Sequence, residues 1–364
     1  MNGTVRDTFI QPGLRGQMAS MDFALPPDLE AGLPPEERGL RRDQVRLMVS
    51  FRQSLDVIHS QFHRLPDFLN AGDVLVINTS KTLKAALRIK RADGTDLELH
   101  LSTHLSGDRW VVELRQLAEK GAAPFYSAEP GERLVLPDKA EAVLHSLHPG
   151  SLQSRRLWIA SLKLPVPVNA YLDRYGFPIR YKYVRSTYPV EYYQNVYAVE
   201  PGSAEMPSAG RAFTADLITR LIARGILFAP LVLHTGVASL EENEQPYEEY
   251  FRLPAMTARL INMARSEGGR VVAVGTTAVR ALQSATDKDG CVHQREGWTN
   301  LVITPNTALP SIDGLLTGLH EPRSTHLAML LALVDHERLS LAYQQALDKG
   351  YLWHEFGDLH LILP

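Results

Sequence analysis

Apolar positions follow different periods in different parts of this chain, and the changes of period divide it. The opening stretch carries Pro26, Pro27, Pro34 and Pro35, each restricting the residue before it, so this segment runs mostly extended. Residues 46–50 and 74–78 are short apolar runs of strand length, and the second stops at the polar turn Asn78-Thr-Ser-Lys81. From about residue 84 to residue 164 the period becomes two. Leu97, Leu99 and Leu101 alternate with polar residues, Ser106-Gly-Asp108 turns the chain, and Trp110, Val112 and Leu114 alternate again. Further short runs at 133–136, 142–144 and 156–160 predict five or six strands in a separate all-β module, whose spacing supports closure as a small barrel over an open sheet.

After Pro165 the helical period takes over. Thr214 caps a predicted helix with Leu217, Ile218, Leu221 and Ile222 on one face, and Gly225 ends it. Residues 226–233 form a long buried strand finishing in His234-Thr235-Gly236. A helix over 254–267 leads to a strand at 271–274; strands are also predicted at 301–304 and 314–317, with helices over 324–335 and 337–349. Helices alternating with apolar strands predict an α/β fold: a discontinuous α/β catalytic domain built from residues 21–83 and 165–364, interrupted by an inserted all-β, barrel-like domain at 84–164.

Candidate chemistry gathers where the predicted strands end. Val271, Val272, Ala273 and Val274 hand over through Gly275-Thr276-Thr277 to a helix. The first N–H groups of such a helix lack an intrahelical partner and, with the positive end of the dipole, hold a carboxylate or other electron-rich group. A cap at Thr277 with a tight turn at Gly275 is the structural alternative. His234 follows a strand and serves as a proton acceptor or hydrogen-bond donor, or else closes a backbone hydrogen bond; His320 carries the same two readings. Ser324 and Thr325 open a helix, which makes capping the leading role and ligand contact the minority one. Glu249 offers a carboxylate base, against a solvated acidic face at Glu248. The aromatic-bearing loop at 193–213 reads as a lid or wall over a flat ring, with Tyr197 and Phe213 stacking, or as ordinary packing of those rings.

Composition removes several classes. The 364 residues suffice for two or three domains, and a net charge of -3 gives no global pull toward nucleic acid. The single cysteine, Cys291, excludes an internal disulfide framework and a cysteine-cluster metal site. His100, His104, His145 and His148 fall in the β module without a ligand-set pattern, so no metal is expected. No apolar run approaches membrane-spanning length, and residues 1–20 lack a signal core; the expectation is a disordered leader on a cytoplasmic protein.

Several motifs together carry a resemblance: Met21-Asp-Phe-Ala-Leu-Pro26, Gly72-Asp-Val-Leu-Val-Ile-Asn78, Tyr193-Gln-Asn-Val-Tyr197, Pro207-Ser-Ala-Gly210, Arg270-Val-Val-Ala-Val-Gly-Thr-Thr-Ala-Val-Arg280 and His320-Glu-Pro-Arg-Ser-Thr325. From about Met21 to its C-terminus the chain resembles the S-adenosylmethionine:tRNA ribosyltransferase-isomerase family of queuosine biosynthesis. The resemblance implies an α/β domain with an inserted β-barrel. It also implies transfer of the ribosyl part of S-adenosylmethionine to the aminomethyl group of a 7-deazaguanine in tRNA, rearrangement to an epoxycyclopentane, and release of adenine and methionine. Proton abstraction beside a sulfonium is reasonable because the adjacent positive charge stabilises the developing carbanion. On this basis His234, Glu249 and Arg280 are the catalytic candidates. Asn78, Thr79, Ser208, Gly210, Gly236, Gly275, Thr276, Thr277, His320, Ser324 and Thr325 are the candidates for holding S-adenosylmethionine, which serves as substrate.

Departures cluster in the same motifs. The family's Asn-Asn-Thr-Arg is Asn78-Thr-Ser-Lys81, its histidine after Pro-Thr-Ala-Gly is Ala212, its His-Ser-Glu is Tyr247-Glu-Glu249, and its Phe-His-Leu-Pro is Leu319-His-Glu-Pro322. A paralogue that uses a small-molecule acceptor, or cleaves S-adenosylmethionine without one, is therefore the second expectation. A non-catalytic protein that binds the cofactor or RNA is the third. The sequence assigns neither the acceptor nor the oligomeric state.

Overall fold

The computed structural model describes residues 21–117, 122–184, 186–237 and 247–364. In chain order the first strands are β1 (Arg46–Phe51), β2 (Val57–Gln61), β3 (Val74–Asn78) and β4 (Ser80–Thr82). The inserted module supplies β5 (Ala86–Lys90), β6 (Asp96–His104), β7 (Arg109–Leu117), β8 (Ala122–Pro124), β9 (Arg133–Val135), β10 (Glu141–Leu147) and β11 (Leu157–Lys163). Then come α1 (Val168–Tyr175), β12 (Glu200–Ser203), α2 (Ala215–Ala223), β13 (Leu227–Leu233), β14 (Glu249–Leu253), α3 (Ala255–Ser266), β15 (Val271–Val274) and α4 (Thr276–Ser284). The chain closes with β16 (Arg295–Thr299), β17 (Gly314–Gly318), α5 (Thr325–Leu331), α6 (His336–Asp348) and β18 (Leu359–Leu363).

Nine strands form one mixed sheet in the order β16-β14-β13-β3-β15-β17-β18-β1-β2. Its centre, β13-β3-β15-β17, is parallel throughout. Strands covered on both faces need continuous apolar runs rather than alternation, and β3, β15 and β17 are buried at every position. Val74 and Val76 face one core with α3, α4, α5 and α6, whereas Leu75 and Ile77 face a second with Phe62, Phe213, Leu217 and Leu221. The sheet is thus sandwiched, and its polar loops are confined to its two ends.

In the inserted module β11-β10-β9-β5-β6-β7 closes on itself through β11–β7 pairing, and β8 extends β7. The result is a six-stranded antiparallel barrel around Leu99, Val112, Leu144 and Trp158. Arg156 and Glu113 form a buried ion pair at 3.2 Å.

Some sequence expectations change. Residues 301–304 are not a strand; the run leads straight into Pro305. The helix expected over 324–335 stops at Leu331. Strands β2, β14, β16 and β18 go beyond the sequence expectation; of these, β2 and β16 carry few buried positions to announce them. In the 193–213 loop the two rings pack on each other, Phe213 being fully buried edge-on to Tyr197 with centroids 5.9 Å apart, and the loop contributes β12, paired in parallel with β4. The leader at 1–20 and residues 238–240 of the His234 motif lie outside the described residues.

Candidate active site

Because β13, β3, β15 and β17 run parallel as neighbours, their C-terminal ends share one edge of the sheet, the usual position for ligands in open α/β sheets. That edge brings together Asn78, His234, the Gly275 turn and His320. Glu249 joins them from the start of antiparallel β14, where it pairs with Thr299.

Asn78 ties this edge together. Its Nδ2 donates to the Leu233 carbonyl at 2.8 Å and to Thr277 Oγ1 at 3.3 Å, while its Oδ1 accepts from the Leu233 N–H at 3.0 Å and the Ser80 N–H at 3.1 Å. With every polar atom engaged, Asn78 shapes the site rather than offering a free group to a ligand. Thr79 is similarly committed, its hydroxyl donating to the Leu231 carbonyl at 3.0 Å.

Gly275 begins α4 at φ 90°, a conformation that favours glycine, and no side chain caps this helix. The expected cap at Thr277 is therefore absent; Thr277 instead accepts from Asn78. Thr276 and Thr277 are half-buried at the first turn, leaving helix-terminal N–H groups without a side-chain acceptor. Ser208 and Gly210 bound a single helical turn whose Ala209 packs against Gly275. A Cβ on Gly210 would run into the Tyr197 hydroxyl and lie 2.7 Å from Asn195 Nδ2.

His234 lies in a polar nest. Its Nδ1 pairs with Ser80 Oγ at 2.8 Å, and Ser80 Oγ pairs with Ser203 Oγ at 2.6 Å. Nε2 is 4.0 Å from Glu200, which is itself ion-paired with Arg252, and the ring stacks on Tyr250. Gly202 allows β12 to pass this close, since a Cβ there would strike the imidazole. Burial lowers the His234 pKa, Glu200 opposes that shift, and Arg252 adds to it. The imidazole is neutral near pH 7 and able to accept a proton.

Buried Glu249 and half-buried Arg280 form an ion pair. Glu249 Oε1 accepts the Gly236 N–H at 2.8 Å, and Arg280 Nε donates to the Leu301 carbonyl at 3.1 Å. Both carboxylate oxygens of Glu249 are occupied, so the pair sets the position of Gly236 and the charge of the site. Exposed Glu248 takes no part.

His320 Nε2 pairs with Thr317 Oγ1 at 2.7 Å, and its ring stacks on His326 at 4.7 Å. Burial is the main cause of both lowered pKa values: His320 falls well below the ordinary range and His326 to about 4, with Arg280 contributing to the latter. Ser324 is the α5 cap, accepting from the Leu327 N–H at 3.3 Å; Thr325 is the first residue of that helix. Sequence reading missed His326, Ser80, Ser203, Glu200 and Arg252. His326 had a signal, six residues after His320 across a helix start, whereas Glu200 and Arg252 meet only through the pairing of distant strands.

Away from this edge, ligand atoms of Asp287, Cys291 and His293 lie within 4.8 Å of one another, the one such trio among the described residues. Asp287 already accepts from the Cys291 and Asp289 N–H groups and pairs with His293 at 2.7 Å. No helix among the described residues is long and apolar enough to cross a membrane.

A profile described as queuosine biosynthesis protein matches residues 18–362. The S-adenosylmethionine:tRNA ribosyltransferase-isomerase of Symbiobacterium thermophilum is 34% identical over 95% of this chain and 100% of its own length. That of Thermus thermophilus is 35% identical over 95% of this chain and 99% of its own. The crystal structure of S-adenosylmethionine tRNA ribosyltransferase from Thermotoga maritima superposes with a TM-score of 0.52 at 28% identity, covering 94% of this chain and 99% of that one.

Proposed function

Because the chain belongs to the queuosine biosynthesis protein family, we propose that it is an S-adenosylmethionine:tRNA ribosyltransferase-isomerase. It takes the ribosyl group of S-adenosylmethionine to an aminomethyl-7-deazaguanine in tRNA and releases adenine and methionine. The observation that carries this reading is the shared strand edge, where an uncapped helix start at Gly275 meets a neutral His234.

Each part has a task in that chemistry. The free N–H groups and hydroxyls of Thr276 and Thr277 hold an electron-rich group of S-adenosylmethionine. Neutral His234, steadied by Ser80, accepts the proton acidified by the sulfonium, a role worth about 10²–10⁴-fold in rate. Arg280, balanced by Glu249, keeps the floor of the site polar without a net charge that would repel the sulfonium. His320 and His326, both uncharged near neutrality, add hydrogen-bonding capacity without added positive charge.

Calorimetry with S-adenosylmethionine, followed by chromatography for adenine and methionine with and without precursor tRNA, tests the reading. Binding followed by tRNA-dependent release is expected; binding without release under any condition would refute it. One observation favours a different acceptor. Position 212, a histidine in the family pattern, is a buried alanine here, and its neighbour Arg211 is held by Glu36 at 2.7 Å and by the Tyr192 carbonyl. Adenine release that ignores tRNA identifies that second activity.

A further inference from the structure

The loop before β18 places one more titratable group at this edge. His354 donates its backbone N–H to the Leu319 carbonyl at 3.4 Å, which brings Glu355 beside the end of β17. There Glu355 borders a crevice of about 10 Å³, enough for about one water, lined also by Ser208, Ala212 and Gly318. Its wall is the same 208–210 turn that packs against Gly275.

The Glu355 Oε2 atom is buried with no hydrogen-bond partner. Such a group costs free energy to keep, and cations that would relieve it are close but committed. Arg42 and Arg211 line the same crevice, yet both ion-pair with Glu36, Arg42 at 3.5 Å and Arg211 at 2.7 Å, and Arg42 also donates to the Gln194 carbonyl. The other titratable neighbours are His354, engaged by Glu30 at 3.4 Å and Glu321 at 3.7 Å, and Tyr181, whose own pKa is raised chiefly by burial and further by Glu205 and Glu355. None of these neutralises the carboxyl.

We propose that Glu355 is a proton-transfer residue of this site, exchanging its proton with the amine of the acceptor across the crevice beside Ala212. The inference rests on the amine acceptor of the proposed function. The step moves only a proton: the ammonium N–H bond breaks, an O–H bond forms on the Glu355 carboxylate directly or through one water, and the electron pair stays on nitrogen, free to attack. Burial, opposed by the residue's own backbone amide, raises the Glu355 pKa to about 7, so both forms are populated near neutrality and the group suits general acid–base work. Ala212 has no side chain able to do this, and Glu355, with its unpartnered Oε2, lines the same crevice.

The test compares wild type with Glu355→Gln, which keeps size and removes the proton. Expected are a roughly 100-fold lower kcat on precursor tRNA, loss of the inflection near pH 7, and S-adenosylmethionine affinity by calorimetry within about twofold of wild type, with the Tm unchanged or raised because a buried ionisable group is gone. An E355Q enzyme with the wild-type rate and inflection overturns the proposal. A second readout is independent of turnover: the infrared carboxyl band lost in E355Q titrates in wild type with a midpoint near 7. A midpoint in the ordinary glutamate range of about 4.3 overturns the proposal whatever the acceptor. Failure of wild type to act on tRNA, by contrast, removes the reading of the previous section and with it the amine partner proposed here, whereas wild-type action on tRNA with an unchanged E355Q rate removes the role of Glu355 alone.

Discussion

His234, His320, His326 and His360 are all held below the ordinary imidazole range, with burial the leading cause in each. For the first three this keeps the site free of extra positive charge in the presence of a sulfonium substrate. For His360 the consequence is stability. It is fully buried in β18, paired with Ser50 Oγ at 2.7 Å, and its pKa falls to about 3. Above pH 6.5 the ring is neutral folded and unfolded, so its effect on stability is constant. As pH drops, the unfolded chain binds the proton first, and the folded state loses up to about 1.4 kcal/mol per pH unit until about pH 3. Denaturant unfolding of His360→Asn between those limits should show a shallower loss of stability on acidification than wild type. Parallel curves would mean that His360 does not titrate as described.

Between elements, the main joint is Asn78, where β3, β13 and the first turn of α4 meet through one amide. Replacing it by alanine strands the buried Leu233 N–H and carbonyl, and each unsatisfied group costs about 1–3 kcal/mol. Asn78→Ala should therefore lower unfolding free energy by about 2–4 kcal/mol and weaken S-adenosylmethionine binding, since the Gly275 turn loses its anchor; an unchanged denaturation midpoint would refute the clamp. The joint also shows what the sequence discloses. The strand ends at Asn78, His234, Gly275 and His320 were legible because each is an apolar run stopped by a polar or glycine turn, a local signal. The commitment of Asn78 to Leu233, the Glu249–Arg280 pair and the Glu200–Arg252 pair were not, because they depend on which strands are neighbours. The β14 partner, β16, carries only one buried residue, Thr299, and shows no apolar alternation to announce it. The same applies to Glu355, whose loop gains meaning only beside β17.

The barrel and the nine-stranded sheet share a chain of contacts that reaches the site. Barrel residue Ser102 accepts the Val237 N–H at 3.0 Å and pairs with the Tyr247 hydroxyl at 3.0 Å; that hydroxyl donates to the Val237 carbonyl at 2.6 Å. The next amide, that of Gly236, is held by Glu249, and Glu249 holds Arg280. Gly236 has no room for a Cβ, which would strike the Tyr247 hydroxyl, so the backbone is fixed between the barrel and the ion pair. Every member of this chain is buried or half-buried and already paired, so a displacement at one end should shift the hydrogen bonds at the other. Residues joined in one network deviate from additivity by about 0.5–3 kcal/mol, whereas independent sites add. A double-mutant cycle of Ser102→Ala with Arg280→Gln, read out as unfolding free energy and as kcat, should give a coupling of at least about 0.5 kcal/mol. Coupling in kcat would make the barrel part of the active-site support; strict additivity in both readouts would reduce it to a separate body tethered beside the sheet.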